Sequence, residues 1–359
     1  MYVLPEGSSF ERKIMKKTIK LISMIFIMAL IIITHTACGG EEPVSKSDFC
    51  LDTACDIAIY DDMKKADAEA ILDEAFALMR DYENLLSRTI STSDVAKIND
   101  AKGKAIKVST DTAEAIKMAV DISEASGGVF DITVGKVTNV WDFKSENPQV
   151  PEAAILTAAL PHIDYKNISL GNTNQITLQD SEAQIDLGGI AKGYIADKVC
   201  AFLEEEGVTS AVINLGGNVV VIGEKAEATP WTIGIERPFT DRTEIIGTIQ
   251  VTDATVVTSG IYERKFEQDG VIYHHILDPA TAYPAKTDLE AVTITAAKGN
   301  SGLCDALSTA CLILGKDKAP KFIEKIQAKY PEAGLEAAFI DNNGNIVQTD
   351  GMKITFIEE

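Results

Sequence analysis

Two adjacent histidines, His274 and His275, precede an Asp-Pro turn and are the clearest candidates for acid–base chemistry. Histidine titrates near neutral pH, which makes it the best general base among the side chains. Successive residues of an extended segment point to opposite faces, so only one of the two can enter a given cleft. Asp278, just before Pro279, could orient or polarise the imidazole that does so. Considered by itself, a histidine pair is more often structural.

A carboxylate and a hydroxyl, Asp305 and Thr309, lie four residues apart in an apolar stretch that is predicted to be helical. Residues at this spacing share one face of a helix. Both supply hard oxygen ligands, which suit Mg²⁺ better than zinc. The alternative is a capping aspartate followed by a threonine that bonds back to the main chain. No Cys-x-x-Cys or zinc-type spacing accompanies this pair in the sequence.

Two glycine pairs follow predicted strands, Gly188–Gly189 and Gly216–Gly217. Glycines at such points let main-chain amides approach a ligand, and a helix that starts there favours phosphate. Lys192 stands at the start of the helix after the first pair, where a lysine is unfavourable to the helix dipole unless it meets an anion. Considered alone, the first pair fits a tight strand–helix turn equally well, and the second is more often a bulge or turn.

Two further segments combine an aromatic residue with nearby hydroxyls, Phe130–Gly135 and Ser259–Arg264. Such side chains could hold a flat ring, although a core strand with a turn is the simpler interpretation of each. The chain is strongly acidic, with a formal net charge of −21. This charge argues against nucleic acid or anionic lipid as a partner. A bound anionic nucleotide would need a local cation, which a metal could supply.

The N-terminal region is typical of an export signal. Met15 is an alternative start, followed by three lysines and the apolar run Leu21–Ile33. That run is shorter than the roughly 20 residues of a membrane-spanning helix. Residues 1–37 are therefore predicted to be a lipoprotein-type signal peptide, with lipidation of Cys38 and a tether over residues 38–48. The alternatives are an uncleaved anchor and a plain secretory signal, and all of them place the body outside the cytoplasm.

Hydrophobic periodicity predicts one α+β domain over residues 49–359, with mixed sheets and packed helices. The predicted helices are Lys65–Leu86, Thr110–Ala125, Tyr194–Glu206, Leu303–Leu314 and Ala319–Lys329. The predicted strands are Ile57–Tyr60, a pair across Ala211–Ile222, Ile245–Val251, Thr255–Thr258, Ala291–Thr295 and the alternating C-terminal segment Ala337–Ile357. A hairpin that ends in a buried strand is expected over Gln175–Leu187.

In their order along the chain, these motifs resemble the FAD:protein FMN transferase (ApbE) family. The matching segments are Leu85–Arg88, Ser93–Asn99, Gly128–Gly135, Trp141–Phe143, Asp186–Tyr194 with Asp197, Asn214–Asn218, Thr258–Arg264, His275–Pro279 and Asp305–Ala310. Each motif is weak alone, and together they are specific and cover about residues 49–315. The sequence departs from the family where Leu51-Asp52-Thr53 replaces Met-Gly-Thr, and where Thr281-Ala282 replaces Thr-Gly.

The resemblance implies an enzyme that uses Mg²⁺ to transfer FMN from FAD, its substrate, to a threonine hydroxyl of an acceptor protein and that releases AMP. The acceptors implied are extracytoplasmic flavoproteins such as membrane redox-pump subunits. His275 would be the base, and Asp305, Thr309 and a main-chain oxygen near Ala191 would bind the metal. The implied FAD-binding residues are Leu51, Ser87, Ser93, Asn99, Phe130, Asp131, Thr133, Lys192, Gly216, Gly217, Tyr262 and Asp278.

Three alternatives remain open at this level. An FAD pyrophosphatase would use water as the attacking group in the same site. A non-catalytic FAD-binding lipoprotein would lack His275 or Asp305, and both are present. A sugar- or peptide-binding lipoprotein would show a two-lobed α/β pattern, which the predicted elements do not have.

Overall fold

A two-stranded hairpin begins the ordered domain. The computed structural model describes residues 42–239 and 244–357, so the predicted signal peptide and Cys38 lie outside the described residues. Strand β1 (Val44–Cys50) pairs antiparallel with β2 (Thr53–Ile59). The predicted tether is therefore wrong from residue 44 onward. Residues 44–48 form a strand because alternate side chains contact a helix: Lys46 pairs with Asp73, and Arg80 pairs with Asp48.

An eight-stranded antiparallel sheet forms the centre of the fold. Besides β1 and β2, it contains β6 (Ala211–Leu215), β7 (Asn218–Ile222), β10 (Ala254–Gly260), β13 (Leu289–Ala297), β14 (Glu336–Asp341) and β15 (Ile346–Gln348). The strands lie in the order β1-β2-β6-β7-β10-β13-β14-β15. The other named strands form three small sheets. The first consists of β3 (Ile106–Lys107), β5 (Gln175–Leu178) and β4 (Ile168–Leu170), the second of β16 (Thr355–Phe356), β9 (Ile245–Val251) and β8 (Trp231–Glu236), and the third of β11 (Lys265–Gln268) and β12 (Val271–His274).

Helices accompany this sheet, as the α+β prediction requires. Along the described chain they are α1 (Lys65–Leu86), α2 (Asp94–Asp100), α3 (Thr110–Ser126), α4 (Gly135–Trp141), α5 (Ala153–Ala159), α6 (Ala191–Glu205), α7 (Ser301–Leu314) and α8 (Ala319–Lys329). The bounds predicted for α1 and α8 are confirmed. Helix α7 is buried almost all round because it lies between α6 and strands β10 and β13. No helix among the described residues is long and apolar enough to cross a membrane.

The hairpin predicted over Gln175–Leu187 is wrong. Strand β5 ends at Leu178 and pairs with the strand before it, β4. The later part of the segment runs beside residues 132–135 without forming a named strand, joined by hydrogen bonds from Asp186 N to Ile132 O at 2.7 Å and from Gly135 N to Gln184 O at 3.0 Å. Its alternating apolar residues are buried by packing, which sequence periodicity cannot distinguish from a strand ladder.

Helices α6 and α7 cross with their main chains almost in contact. A Cβ on Gly193 would lie 2.2 Å from the carbonyl oxygen of Ser301, so only glycine fits. Asp197 on α6 accepts the N–H groups of Ser301 and Gly302, each at 2.9 Å, and so caps α7. In return, Asp305 on α7 accepts the N–H of Gly193 at 3.0 Å. This reciprocal arrangement fixes the start of α6, three residues before its predicted start, against the middle of α7.

Candidate active site

The two histidines at the end of β12 lie in different environments. His274 is buried, and its Nε2 lies 3.1 Å from the carbonyl oxygen of Ala285. Burial lowers the pKa of His274 to about 4. His275 donates its main-chain N–H to Arg264 O at 3.0 Å, and its buried Nδ1 has no hydrogen-bond partner among the described residues. The Nδ1 of His274 is also buried without a partner, so the two rings differ at Nε2. The Nε2 of His274 is held by Ala285 O, whereas no described residue bonds the Nε2 of His275.

Electrostatics hold His275 in its neutral form. Burial is the main cause that lowers the pKa of His275 to about 3, followed by the guanidinium of Arg264, the neighbouring imidazole of His274 and the ammonium of Lys192. An unprotonated imidazole is the form that can accept a proton. The proposed partner Asp278 does not contact it: its carboxylate accepts the N–H of Ala280 at 2.9 Å and the hydroxyl of Thr281 at 3.2 Å. The prediction that Asp278 orients the ring is therefore wrong, since the carboxylate stabilises its own turn.

A lysine and an asparagine face each other where the two glycine segments meet. Lys192 Nζ donates to Asn218 Oδ1 at 2.9 Å. Asn218 is fully buried as the first residue of β7, and its Nδ2 has no partner among the described residues. A buried donor without an acceptor is costly unless a ligand satisfies it. Sequence reasoning missed Asn218, although it directly follows Gly216–Gly217 in a motif that was recognised.

The second glycine pair packs closely against the β1–β2 hairpin. Gly216 and Gly217 have φ values of +59° and +96°, which favour glycine. A Cβ on Gly216 would lie 2.3 Å from Thr53 Oγ1. The pair therefore brings the β6–β7 loop against the turn that contains Leu51, a predicted ring contact. Leu51 is half-buried there and packs against the main core.

The predicted metal ligands lie together at the crossing of α6 and α7. Asp305 is nearly fully buried, and the Gly193 bond uses one of its two carboxylate oxygens. Thr309 lies one turn further along α7, and its Oγ1 would be 3.5 Å from a Cβ on Gly189. Ala191, the first residue of α6, stands between these two glycines. Burial raises the pKa of the nearby Asp197 to about 6, and the charge of Asp305 contributes to that rise.

This donor set fits Mg²⁺ better than a metal that requires a cage of side chains. Among residues 42–239 and 244–357, no group of three or more His, Cys, Asp or Glu side chains could hold a metal. In the predicted site, Asp305 would be the charged ligand, with the Thr309 hydroxyl and a main-chain oxygen near Ala191 beside it. Mg²⁺ is commonly bound by one or two carboxylates together with water and substrate phosphates. The site can therefore complete a magnesium shell only with oxygens from a ligand or solvent.

Four of the predicted FAD-binding side chains form hydrogen bonds within the protein. Ser93 caps α2 by accepting Ala96 N at 2.9 Å, and Asn99 bonds both the N–H and the carbonyl of Ile185 at 2.7 and 2.9 Å. Asp131 Oδ1 accepts the N–H and hydroxyl of Thr133, and its Oδ2 accepts Tyr165 N at 2.8 Å. We correct their role from ligand contact to support, because Ser93 and Thr133 are fully buried and all four are hydrogen-bonded within the protein.

Three further side chains predicted to bind FAD differ in how deeply they are buried. Phe130 is buried directly beneath Gly189, 3.1 Å from where a Cβ would be. Ser87 is half-buried, and its hydroxyl lies 3.0 Å from Thr89 Oγ1. Tyr262 packs over Gly260, and its ring centroid lies 5.8 Å from that of Phe239. Phe130 thus supports the first glycine pair from below, while Ser87 and Tyr262 remain partly open to solvent.

Comparison with known proteins agrees with the order of the motifs. The model of the ApbE family matches residues 51–333. A Treponema pallidum protein named FAD:protein FMN transferase is 33% identical over 334 residues, covering 88% of this chain and 90% of its own. A Klebsiella pneumoniae protein of the same name is 34% identical over 290 residues, covering 80% of this chain and 87% of its own.

Solved structures resemble this fold along most of their length. The crystal structure of the ApbE protein from Thermotoga maritima superposes with a TM-score of 0.75 and is 34% identical, covering 86% of this chain and 97% of that one. The flavin transferase ApbE from Vibrio cholerae superposes with a TM-score of 0.73 at 25% identity, covering 86% and 96%.

Proposed function

The chain belongs to the ApbE family, and from this premise we propose that it is an FAD:protein FMN transferase that modifies a threonine hydroxyl and releases AMP. One observation carries the proposal. A neutral imidazole with an uncommitted nitrogen, His275, lies within electrostatic reach of Lys192, whose partner Asn218 holds an unsatisfied donor. These groups provide a base beside nitrogen donors suited to phosphate oxygens.

In the proposed reaction, the threonine oxygen forms a bond to the phosphorus of the FMN half. The bond from that phosphorus to the bridging oxygen of the diphosphate breaks, and AMP leaves with that oxygen. His275 accepts the hydroxyl proton, which is worth about 10²–10⁴-fold in rate. Lys192 and Asn218 Nδ2 hold the diphosphate, and the positive-φ loop at Gly216–Gly217 lets the main chain approach it.

Asp305, Thr309 and the main-chain oxygen of Ala191 would hold Mg²⁺ in this proposal. When bound, Mg²⁺ supplies charge neutralisation for the diphosphate and for the leaving AMP. The reciprocal hydrogen bonds of Asp197 and Asp305 keep these oxygens in a fixed relation before any ligand arrives. The fold therefore orders these oxygens before the substrate binds.

We also propose that the protein is lipid-anchored through Cys38 on the extracytoplasmic side of the membrane, where the acceptor would be a membrane redox-pump subunit or a related flavoprotein. The lysine-rich start, the apolar run and Ala37-Cys38 support this. Cys38→Ala should release the protein from the membrane fraction or stall its processing, as judged by fractionation and intact mass. Retention and processing equal to the wild type would contradict the anchor.

The function is tested with the purified full chain, FAD, Mg²⁺ and an acceptor protein that carries a target threonine. We expect mass spectrometry to find one FMN unit on that threonine and equimolar AMP. His275→Asn should lose most of the turnover while it keeps FAD binding, and the matched variant His274→Asn should be mildly affected. AMP and free FMN without modified acceptor would identify a pyrophosphatase instead, and FAD binding without AMP would identify a carrier.

A further inference from the structure

The turn between β1 and β2 adopts a conformation that its residues disfavour. Leu51 and Asp52 have φ values of +54° and +59°, so a two-residue turn has both central residues in the left-handed region. Such turns prefer asparagine and glycine, and a leucine there is strained. A conformation of this kind persists only when its surroundings hold it in place.

Three side chains from separate parts of the fold hold this turn. Glu83 on α1 accepts the N–H of Leu51 at 3.1 Å. Lys144, after α4, pairs with the Asp52 carboxylate at the surface. Arg264, between β10 and β11, donates from Nη2 to the carbonyl oxygen of Asp52 at 3.3 Å.

Arg264 also contacts the candidate base. Its carbonyl oxygen accepts the N–H of His275 at 3.0 Å, so one residue contacts the turn through its side chain and the histidine through its main chain. We propose that Arg264 is a positioning residue that fixes the Leu51–Asp52 turn and His275 relative to each other. This inference rests on the proposed function, in which His275 takes the proton, and on the FAD contact that the family resemblance implies for Leu51.

The guanidinium adds an electrostatic effect that a purely structural contact would lack. The charged and titratable groups that act on His275 are Arg264, His274 and Lys192, and all three disfavour its protonation. Arg264 keeps its charge at every accessible pH, so after burial it is the next largest cause that keeps the base unprotonated. Removing that charge should raise the pKa of His275 in the substrate complex by about one unit.

The experiment compares Arg264→Gln, Arg264→Lys and the control Lys117→Met, each as the full chain. Lys117 forms an exposed ion pair with Asp121 on α3, away from the turn. Fluorescence titration measures the Kd for FAD. The pH dependence of kcat for transfer gives the acid limb, which is the fall in kcat at low pH as His275 becomes protonated. Arg264→Gln should weaken FAD binding about tenfold and move the acid limb upward by about one unit. Arg264→Lys keeps the positive charge and loses the planar guanidinium that donates to Asp52 O. It should therefore weaken FAD binding and leave the acid limb in place.

Lys117→Met should change the Kd for FAD by less than about twofold and leave the acid limb unchanged, because it breaks an exposed pair away from the turn. An Arg264→Gln enzyme with wild-type affinity and a wild-type acid limb overturns the inference, as does an equal upward shift of the limb in Lys117→Met. If the wild type binds FAD and transfers no flavin, the proposed function fails by itself. The Kd comparison of Arg264→Gln with Lys117→Met then decides the positioning role.

Discussion

Replacing Asn218 by leucine should separate ligand binding from folding stability. Asn218 is fully buried, its Oδ1 accepts Lys192 Nζ at 2.9 Å, and its Nδ2 has no acceptor among the described residues. A side chain retained only for stability would have both groups satisfied. The unsatisfied Nδ2 is therefore expected to serve the ligand, and its removal should affect the ligand most.

The expected changes in stability and in FAD affinity follow from the two polar atoms of the Asn218 amide, Nδ2 and Oδ1. Leucine removes an unsatisfied donor, which relieves roughly 1–3 kcal/mol, and it loses the Lys192 hydrogen bond, which costs roughly 1–3 kcal/mol. The free energy of unfolding should therefore change little. FAD loses a donor to a charged oxygen and the fixed position of Lys192, so the Kd should rise about 10- to 100-fold. Asn218→Asp should weaken binding further, because its charge neutralises Lys192 and repels the diphosphate.

Calorimetric titration with FAD and urea unfolding measure the two quantities on the same samples. The matched control is Thr255→Val, a buried polar residue on the neighbouring strand whose hydroxyl donates to Val219 O at 3.2 Å. It should lower stability and leave the Kd for FAD unchanged. An Asn218→Leu variant that binds FAD like the wild type, or one that loses stability and keeps affinity, would refute the reasoning.

Three further perturbations address the helix crossing, the metal ligand and the histidine. Gly193→Ala should lower the free energy of unfolding by several kcal/mol, because the added Cβ would collide with Ser301 O. The control Gly207→Ala has open space around it and a φ of +83°, so it should lower the free energy of unfolding by about 1 kcal/mol. Urea unfolding measures both variants. Asp305→Asn should keep the fold and weaken Mg²⁺ binding in the presence of FAD, as measured by calorimetry, and unchanged Mg²⁺ affinity would contradict the assignment. The pKa of His275 falls from 6.5 to about 3 on folding, so the unfolded chain takes up the proton first and stability is lost as the pH falls from about 6.5 toward 3. His275→Asn should flatten this decline in urea midpoints, and an unchanged decline would show that His275 does not cause it.

The helices and the family motifs could be predicted because their signals are local. The apolar spacing of Lys65–Leu86 describes a single helical face, and the structure confirms that helix. The same reasoning failed for Gln175–Leu187, where alternating burial arises from packing against a distant segment. Periodicity reports which residues are buried and does not report what buries them.

The role of each polar side chain was harder to predict than its place in a motif. Asn99 lies in a matching segment, yet its amide bonds Ile185, a residue 86 positions away. Asp278 lies near His275 in sequence, yet its carboxylate turns back to its own loop. Hydrogen-bond partners depend on the tertiary fold. A motif therefore identifies which residues lie near a site, and it does not distinguish those that contact the ligand from those that stabilise the surrounding structure.

The distribution of charge links these observations. The chain carries a net charge of −21 and should repel an anionic nucleotide at long range. Around His275, however, burial first and then the positive charges of Arg264 and Lys192 lower its pKa. A diphosphate bound beside Lys192 would offset the charge of that lysine and raise the pKa of His275 part of the way toward its ordinary value. Burial and the cations that attract the substrate would therefore together keep His275 unprotonated until the substrate arrives, and substrate binding would then make it a stronger base.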